Sequence, residues 1–298
     1  MRGRRNVLLV IVSLLSVDLA VLGQASHDYA TEAPVQDSRD GIIVLGGGYF
    51  ENENTAALLR RMIDLAGGAG IFVVIIPTAD SQLEPATGTG VSTSLIDYEK
   101  AVSVAFARLG VAHATVLHTR DRRVADSEAF VAPLRSANCV WIPGGSPQLL
   151  FDAYPKTRVQ GEVQGVLNRG GVVAGDSAGA LLIGQEWLSI DPVHPEILPA
   201  APQIGLGLLR DAFVMAHVNR YKAGVVTLGS KTYVSTHQEV SGILIEEHTA
   251  VMIQRGQITR LIGTGRAGIV DAGSHGADSV AWLSGTARYD LHRREFVQ

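Results

Sequence analysis

The sequence predicts an α/β fold: three α/β/α layers on a mostly parallel sheet, a nucleophile elbow, and a β-rich C-terminal extension of the same domain. Three observations carry that prediction. Short apolar runs at residues 41–45, 71–76, 139–142 and 172–174 are separated by stretches whose apolar residues recur at helical spacing. Strands apolar on both faces that alternate with helices mark a parallel sheet covered on both sides. The run Val172-Val173-Ala174 leads directly into Gly175-Asp176-Ser177-Ala178-Gly179 and resumes as Ala180-Leu181-Leu182-Ile183, which reads as strand, tight turn and helix. Finally, 298 residues with 46% hydrophobic and 18% charged side chains suffice for one large buried core.

Taken in order, residues 1–25 read as a secretory signal peptide. Arg2, Arg4 and Arg5 precede an apolar run over residues 7–15, and Gly23-Gln24-Ala25 offers small residues for cleavage. Asp18 interrupts the run short of the ~20 apolar residues that a membrane-spanning helix needs. A secreted or periplasmic protein follows, free of the membrane after cleavage, with residues 26–40 a mobile leader and residues 41–298 a single domain. A homodimer is left open.

Residues 41–45 predict the first strand, Gly46-Gly47-Gly48 its loop, and Leu58, Leu59, Met62 and Ile63 the buried face of the next helix. The glycines lack the Gly-x-Gly-x-x-Gly spacing of a dinucleotide site and its companion acid, so no cofactor is expected. Residues 71–76 form the second strand, and residues 78–94 a polar loop at its carboxyl end, where ligand crevices open in parallel sheets. Helices near 95–109 and 126–134 alternate with strands at 114–117 and 139–142. The turn Pro143-Gly144-Gly145-Ser146-Pro147-Gln148, a helix near 159–167 and the elbow strand follow. Residues 191–202, with four prolines, read as a surface excursion; β-like runs recur at 212–216, 242–245, 250–254 and 258–262.

Net charge of −4 gives no basic footprint for nucleic acid. The single Cys139 lies mid-strand, which excludes an intrachain disulfide and predicts an inert buried thiol. No metal-ligand spacing stands out, so no metal is expected.

Ser177 sits between two glycines that permit the strained turn presenting a hydroxyl at the sheet edge; the plainer alternative is a helix cap. Serine becomes nucleophilic only beside a base that an acid orients. Downstream histidines are His194, His217, His237, His248, His275 and His292, and spacing does not choose among them. His217 is favoured because it stands where a β-like run meets a loop. Backbone N–H groups at Gly145 and Ala178 are placed to receive a developing oxyanion, and Ser146 and Gln148 either hold substrate or cap the following helix.

Gly-Asp-Ser-Ala-Gly-Ala at 175–180, Pro-Gly-Gly-Ser at 143–146, Gly-Leu-Gly-Leu-Leu at 205–209 and Ile-Leu-Ile-Glu-Glu-His-Thr-Ala at 243–250 together resemble the cyanophycinase and dipeptidase E family of serine peptidases. Gly263-Thr264-Gly265 followed by Asp271 is similar to that family's closing strands, and the likeness runs from about residue 41 to 271. It implies a fold of the class I glutamine-amidotransferase type and a serine exopeptidase or isopeptidase acting on small aspartyl peptides or cyanophycin. It further implies Ser177 as nucleophile, His217 as base, Glu247 as orienting acid with Glu246 the nearest alternative, and Gly145 with Ala178 as the oxyanion hole. Family members commonly carry Asp-Gln before the histidine and an arginine-rich stretch after it. This chain has Met215-Ala216 and Asn219-Arg220-Tyr221-Lys222, which leaves Arg220 as a substrate contact and the substrate itself open. Two other readings remain: an esterase-type α/β hydrolase using Asp271 and His292, and a non-catalytic secreted binding protein on the same fold.

Overall fold

The computed structural model describes residues 41–48, 53–83, 93–189, 202–221, 224–273, 279–284 and 286–297. The expected signal peptide, the leader at 26–40, His194, His275 and nearly all of the proline-bearing stretch at 191–202 lie outside them.

The N-terminal part alternates as expected. Strands β1 (Ile42–Gly46), β2 (Phe72–Ile75), β3 (His113–Val116), β4 (Cys139–Ile142) and β5 (Val172–Asp176) are connected by α1 (Glu53–Leu65), α2 (Thr93–Arg108), α3 (Arg122–Ala125), α4 (Glu128–Val131), α5 (Pro147–Ala153) and α6 (Arg158–Asn168). The helix expected over 126–134 is instead α4 and a 3₁₀ turn, Ala132–Arg135. The Ser127 hydroxyl accepts from the Phe130 N–H and starts a new helix, and Pro133, without an N–H, cannot continue it as an α-helix.

After β5 come α7 (Ala178–Ile183), β6 (Glu186–Trp187), β7 (Gln203–Ile204), β8 (Ala212–Met215) and α8 (Val225–Thr236). The remaining strands are β9 (Ser241–Ile245), β10 (Thr249–Gln254), β11 (Gln257–Gly263), β12 (Ala267–Val270), β13 (Ala281–Leu283), β14 (Arg288–Asp290) and β15 (Glu295–Val297). The larger sheet runs β15-β14-β11-β10-β1-β5-β4-β2-β3. From β1 to β3 every pairing is parallel, which is the half that the βα alternation predicts. From β1 outward through β10 it is antiparallel. The sheet is thus mixed, and part of the expected C-terminal extension continues it. The rest joins a second sheet, β13-β12-β9-β8-β6-β7.

Alternation along the parallel strands sorts their side chains into two cores, because successive residues face opposite sides. Ile43, Leu45, Val74, Val140, Ile142 and Val173 pack under α5, α6 and α7 through Leu150, Val163, Val166 and Leu182. Ile42, Val44, Val73, Ile75, Trp141 and Ala174 pack under α1 and α2 through Leu59, Met62, Val102 and Phe106. These are the three layers. Cys139 lies in the second core, and burial pushes its thiol up to about 12, so the thiolate is absent at neutral pH. Among the described residues, no helix is long and apolar enough to cross a membrane.

The elbow requires α7 to lie almost on the sheet. A Cβ on Gly175 would stand 2.4 Å from the Gly179 carbonyl carbon, and one on Gly179 would stand 1.9 Å from the Ile142 oxygen. Both obstacles are backbone and cannot turn aside. Gly179→Ala is therefore expected to cost about 2 kcal/mol or more of folding stability, read as a lowered urea midpoint with an unchanged slope.

Candidate active site

The carboxyl ends of the parallel strands share one edge of the sheet, and Ser177 stands there. Its backbone adopts φ 52° and ψ −116°, a conformation few non-glycine residues hold. Its N–H donates to the Gly46 oxygen at 3.0 Å. Ser177 occupies the N-cap position of α7 but makes no side-chain capping bond, so its hydroxyl is left for another partner.

That partner is His217. Ser177 Oγ lies 2.7 Å from His217 Nε2, and His217 Nδ1 lies 2.9 Å from Glu247 Oε1. His217 follows β8 with φ 58°, and Glu247 stands between β9 and β10, so the second sheet delivers one residue and the junction of the two sheets the other. The two side chains are 17% and 18% exposed, open enough to be reached and covered enough to strengthen their interaction. With the ring hydrogen on Nδ1, His217 donates to Glu247 and presents a lone pair to the serine. Burial holds the His217 imidazolium below its ordinary range; the hydrogen bond and charge of Glu247 oppose this, and the Arg220 charge adds to it. The ring is neutral at neutral pH and can accept a proton.

The adjacent acids point to different partners. Glu246 is buried and accepts from Arg266 at 2.7, 2.8 and 3.0 Å, and that guanidinium lies 4.4 Å from the centre of the Trp282 ring. Of the two, Glu247 reaches the histidine. Asn219 Oδ1 accepts from the Glu247 N–H at 2.9 Å and steadies it. Arg220 Nη1 lies 3.7 Å from Glu247 Oε1 on an exposed side chain, so this expected substrate contact also leans on the acid.

The turn before α5 presses against the serine. A Cβ on Gly144 would come 2.8 Å from Ser177 Cβ, and Gly145, at φ 145°, rests against the Ala79 carbonyl. The Ser146 N–H donates to that carbonyl at 2.8 Å. Among the described residues neither the Gly145 nor the Ala178 N–H meets an acceptor, so both are free to serve an incoming oxygen. Ser146 stands at the N-cap of α5 without a capping bond from its hydroxyl. Gln148 is held by Asp152 at 2.7 Å and Gln203 at 3.0 Å, contacts that tie it to the flank of α5.

Two of the other histidines are engaged elsewhere. His237 stacks on Tyr233 at 4.1 Å, and the His292 ring lies against Gly256. Asp271 is fully buried and receives the Tyr289 hydroxyl at 2.6 Å and the Gly273 N–H at 2.8 Å. The Asp271–His292 pairing is not assembled.

What the sequence reading passed over is the role of Gly46-Gly47-Gly48, weighed there only as a dinucleotide loop. Three successive carbonyls accept three N–H groups of the site: Gly46 from Ser177, Gly47 from His217 and Gly48 from His248, each at 3.0 Å. Gly48 has φ 98°, and a Cβ there would stand 2.0 Å from His217 Cε1. Three consecutive glycines were the available signal, and their partners lie too far along the chain for spacing to reveal.

A family model, Peptidase family S51, matches residues 42–261. A curated relative, a cyanophycinase of Geminocystis herdmanii, is 25% identical over 236 residues, covering 78% of this chain and 81% of that protein. A cyanophycinase of Nostoc sp. is 27% identical over 243 residues, covering 79% and 75%. Among solved structures, a peptidase from an acI-B1 Actinobacterium superposes with a TM-score of 0.65 at 20% identity, covering 84% of this chain and 97% of that one; the likeness is one of fold.

Gly48→Ala is expected to displace the His217 ring and break its contact with Ser177. A serine-directed fluorophosphonate should then label Ser177 about 100-fold more slowly, with an unchanged far-UV circular dichroism spectrum assigning the loss to the ring.

Proposed function

The chain belongs to peptidase family S51, and from that premise we propose that Ser177, His217 and Glu247 form a catalytic triad that hydrolyses aspartyl-containing peptides or cyanophycin outside the cytoplasm. The chain is a serine-type peptidase of the cyanophycinase and peptidase E type. The one observation that best supports the triad is the unbroken contact from Ser177 Oγ through the two ring nitrogens of His217 to Glu247.

In this reading His217 Nε2 takes the hydroxyl proton as Ser177 Oγ attacks the scissile carbonyl. Negative charge gathers on the carbonyl oxygen, and the N–H groups of Gly145 and Ala178 receive it; one such donor is typically worth about 3 kcal/mol of barrier. Glu247 steadies the imidazolium, which passes its proton to the departing amine. Water then enters and attacks the acyl carbon as His217 takes its proton, and His217 returns that proton to Ser177 Oγ as the acyl–oxygen bond breaks and the acid leaves. In the same reading Ser146, Gln148 and Arg220 contact the substrate, Gln148 only on exchanging its bonds to Asp152 and Gln203, with Arg220 the natural partner for a substrate carboxylate.

The substrate class draws on the relatives, which are cyanophycinases. Because Met215-Ala216 precedes His217 here, small aspartyl peptides stand beside cyanophycin as substrates. Export draws on the arginines, apolar run and small residues of the first 25 positions. N-terminal sequencing of protein recovered from the periplasm or medium should begin near Ser26, and an intact Met1 on all recovered protein would refute export with cleavage.

Ser177→Ala should lower kcat by about 10⁴-fold or more on whichever member of a panel of α- and β-aspartyl dipeptides and cyanophycin the enzyme cleaves; a variant that keeps full activity refutes the triad.

Activity should rise with pH as His217 loses its proton, with the midpoint of kcat/KM below 6.5 because burial disfavours the imidazolium. Glu247→Gln removes the charge that raises that midpoint and leaves at most a weaker, neutral acceptor for Nδ1. It should move the acid limb lower still while reducing kcat by roughly 10²- to 10⁴-fold.

A further inference from the structure

Asp176 precedes the nucleophile and takes no part in the chemistry above. It ends β5 beside Gly46 in the parallel register, and its Oδ1 accepts from the Gly48 N–H at 3.0 Å. Among the described residues it has no ion-pair partner. Burial pushes its carboxyl up to about 6 against the opposing hydrogen bond from the Gly48 N–H. A carboxylate kept this way, with no counter-ion, costs the fold stability, and such groups concentrate where they serve function.

The geometry around Gly48 says what it serves. Gly48 forms a wall against the His217 ring, so close that a Cβ would stand 2.6 Å from Nε2, the nitrogen that faces Ser177. The neighbouring peptide groups are fixed: the Gly47 N–H donates to Thr249, the Gly47 oxygen accepts from His217, and the Gly48 oxygen accepts from His248. The Gly48 N–H is the remaining backbone group of that wall, and Asp176 holds it. An N–H bound to an ionised carboxylate is held more firmly than one bound to a neutral acceptor.

We propose that Asp176 is a positioning residue: by fastening the Gly48 N–H it fixes the wall behind His217 and keeps Nε2 at proton-transfer distance from Ser177 Oγ. The inference rests on the Ser177–His217 pairing proposed above. It differs from a structural role in the variants it separates. Asp176→Ala removes the acceptor, whereas Asp176→Asn keeps an amide oxygen in the same place.

The test is run at pH 8, where the carboxyl is ionised, on the full chain. Asp176→Ala should lower kcat by about 10- to 100-fold with KM within about twofold, and should slow fluorophosphonate labelling of Ser177 by the same factor. Asp176→Asn should recover both to within about fivefold of the unaltered enzyme, and its thermal midpoint should not fall, since it removes a partly buried charge that has no counter-ion among the described residues. If the Ala variant does not fold, Asp176→Leu, which fills the space without an acceptor, replaces it. A folded Ala or Leu variant labelled at the unaltered rate overturns the proposal, as does an Asn variant no better than Ala. Failure of the unaltered enzyme to label at all would instead overturn the Ser177–His217 pairing on which the proposal stands.

Discussion

Three consecutive peptide carbonyls, those of Gly46, Gly47 and Gly48, hold this site together. Side-chain catalysis depends on distances of a few tenths of an ångström, and side chains are only as well placed as the backbone beneath them. Here the backbone of the serine, of the histidine, and of the residue after the acid all bond to one short segment at the end of β1. That segment can serve three partners only because it has no side chains: a Cβ on Gly47 would meet the Glu246 oxygen at 2.0 Å, and one on Gly48 would meet the imidazole. The central position of β1, between β5 on one side and β10 on the other, follows from the same need. It is the strand from which both the elbow and the acid-bearing connection can be reached.

The elbow was legible in the sequence because its determinants are local. A glycine on either side of Ser177 and small residues after it specify a turn whose every requirement falls within a few positions. The parallel half of the sheet was legible for a similar reason, as apolar runs bounded by glycine and proline. Which histidine meets Ser177 was not legible from spacing. Six histidines follow the serine, and what distinguishes His217 is its arrival beside Gly47 through a parallel β8–β9 pair, a long-range event. The family resemblance chose it where spacing could not. The helix expected over 126–134 failed on a detail that competes locally, the Ser127 cap and Pro133 interrupting one periodic stretch.

Glu246 and Glu247 illustrate how a strand end divides labour between neighbours. Glu246 follows the last residue of β9 and Glu247 lies in the turn beyond it, and there one carboxylate meets Arg266 and the other His217. Arg266 anchors the connection on one side while the contact to His217 is made on the other. The family resemblance pointed to the pair of acids; the division between them follows from the Arg266 side chain, twenty positions away in the connection between β11 and β12.

The order in which these pieces lie along the chain has a bearing on when the enzyme becomes one. The partners of Gly46, Gly47 and Gly48 lie about 130, 170 and 200 residues downstream, separations whose closure is slow and costly in chain entropy. The parallel half, nucleophile included, is complete by residue 183, before β8 and β10 have been made. A chain built only to residue 183 therefore holds Ser177 at its elbow without the histidine that meets it in the full fold. The Ser177–His217–Glu247 contact closes only when β8 and the β9–β10 connection have joined the parallel half, so that contact is a property of the long-range fold and not of the elbow.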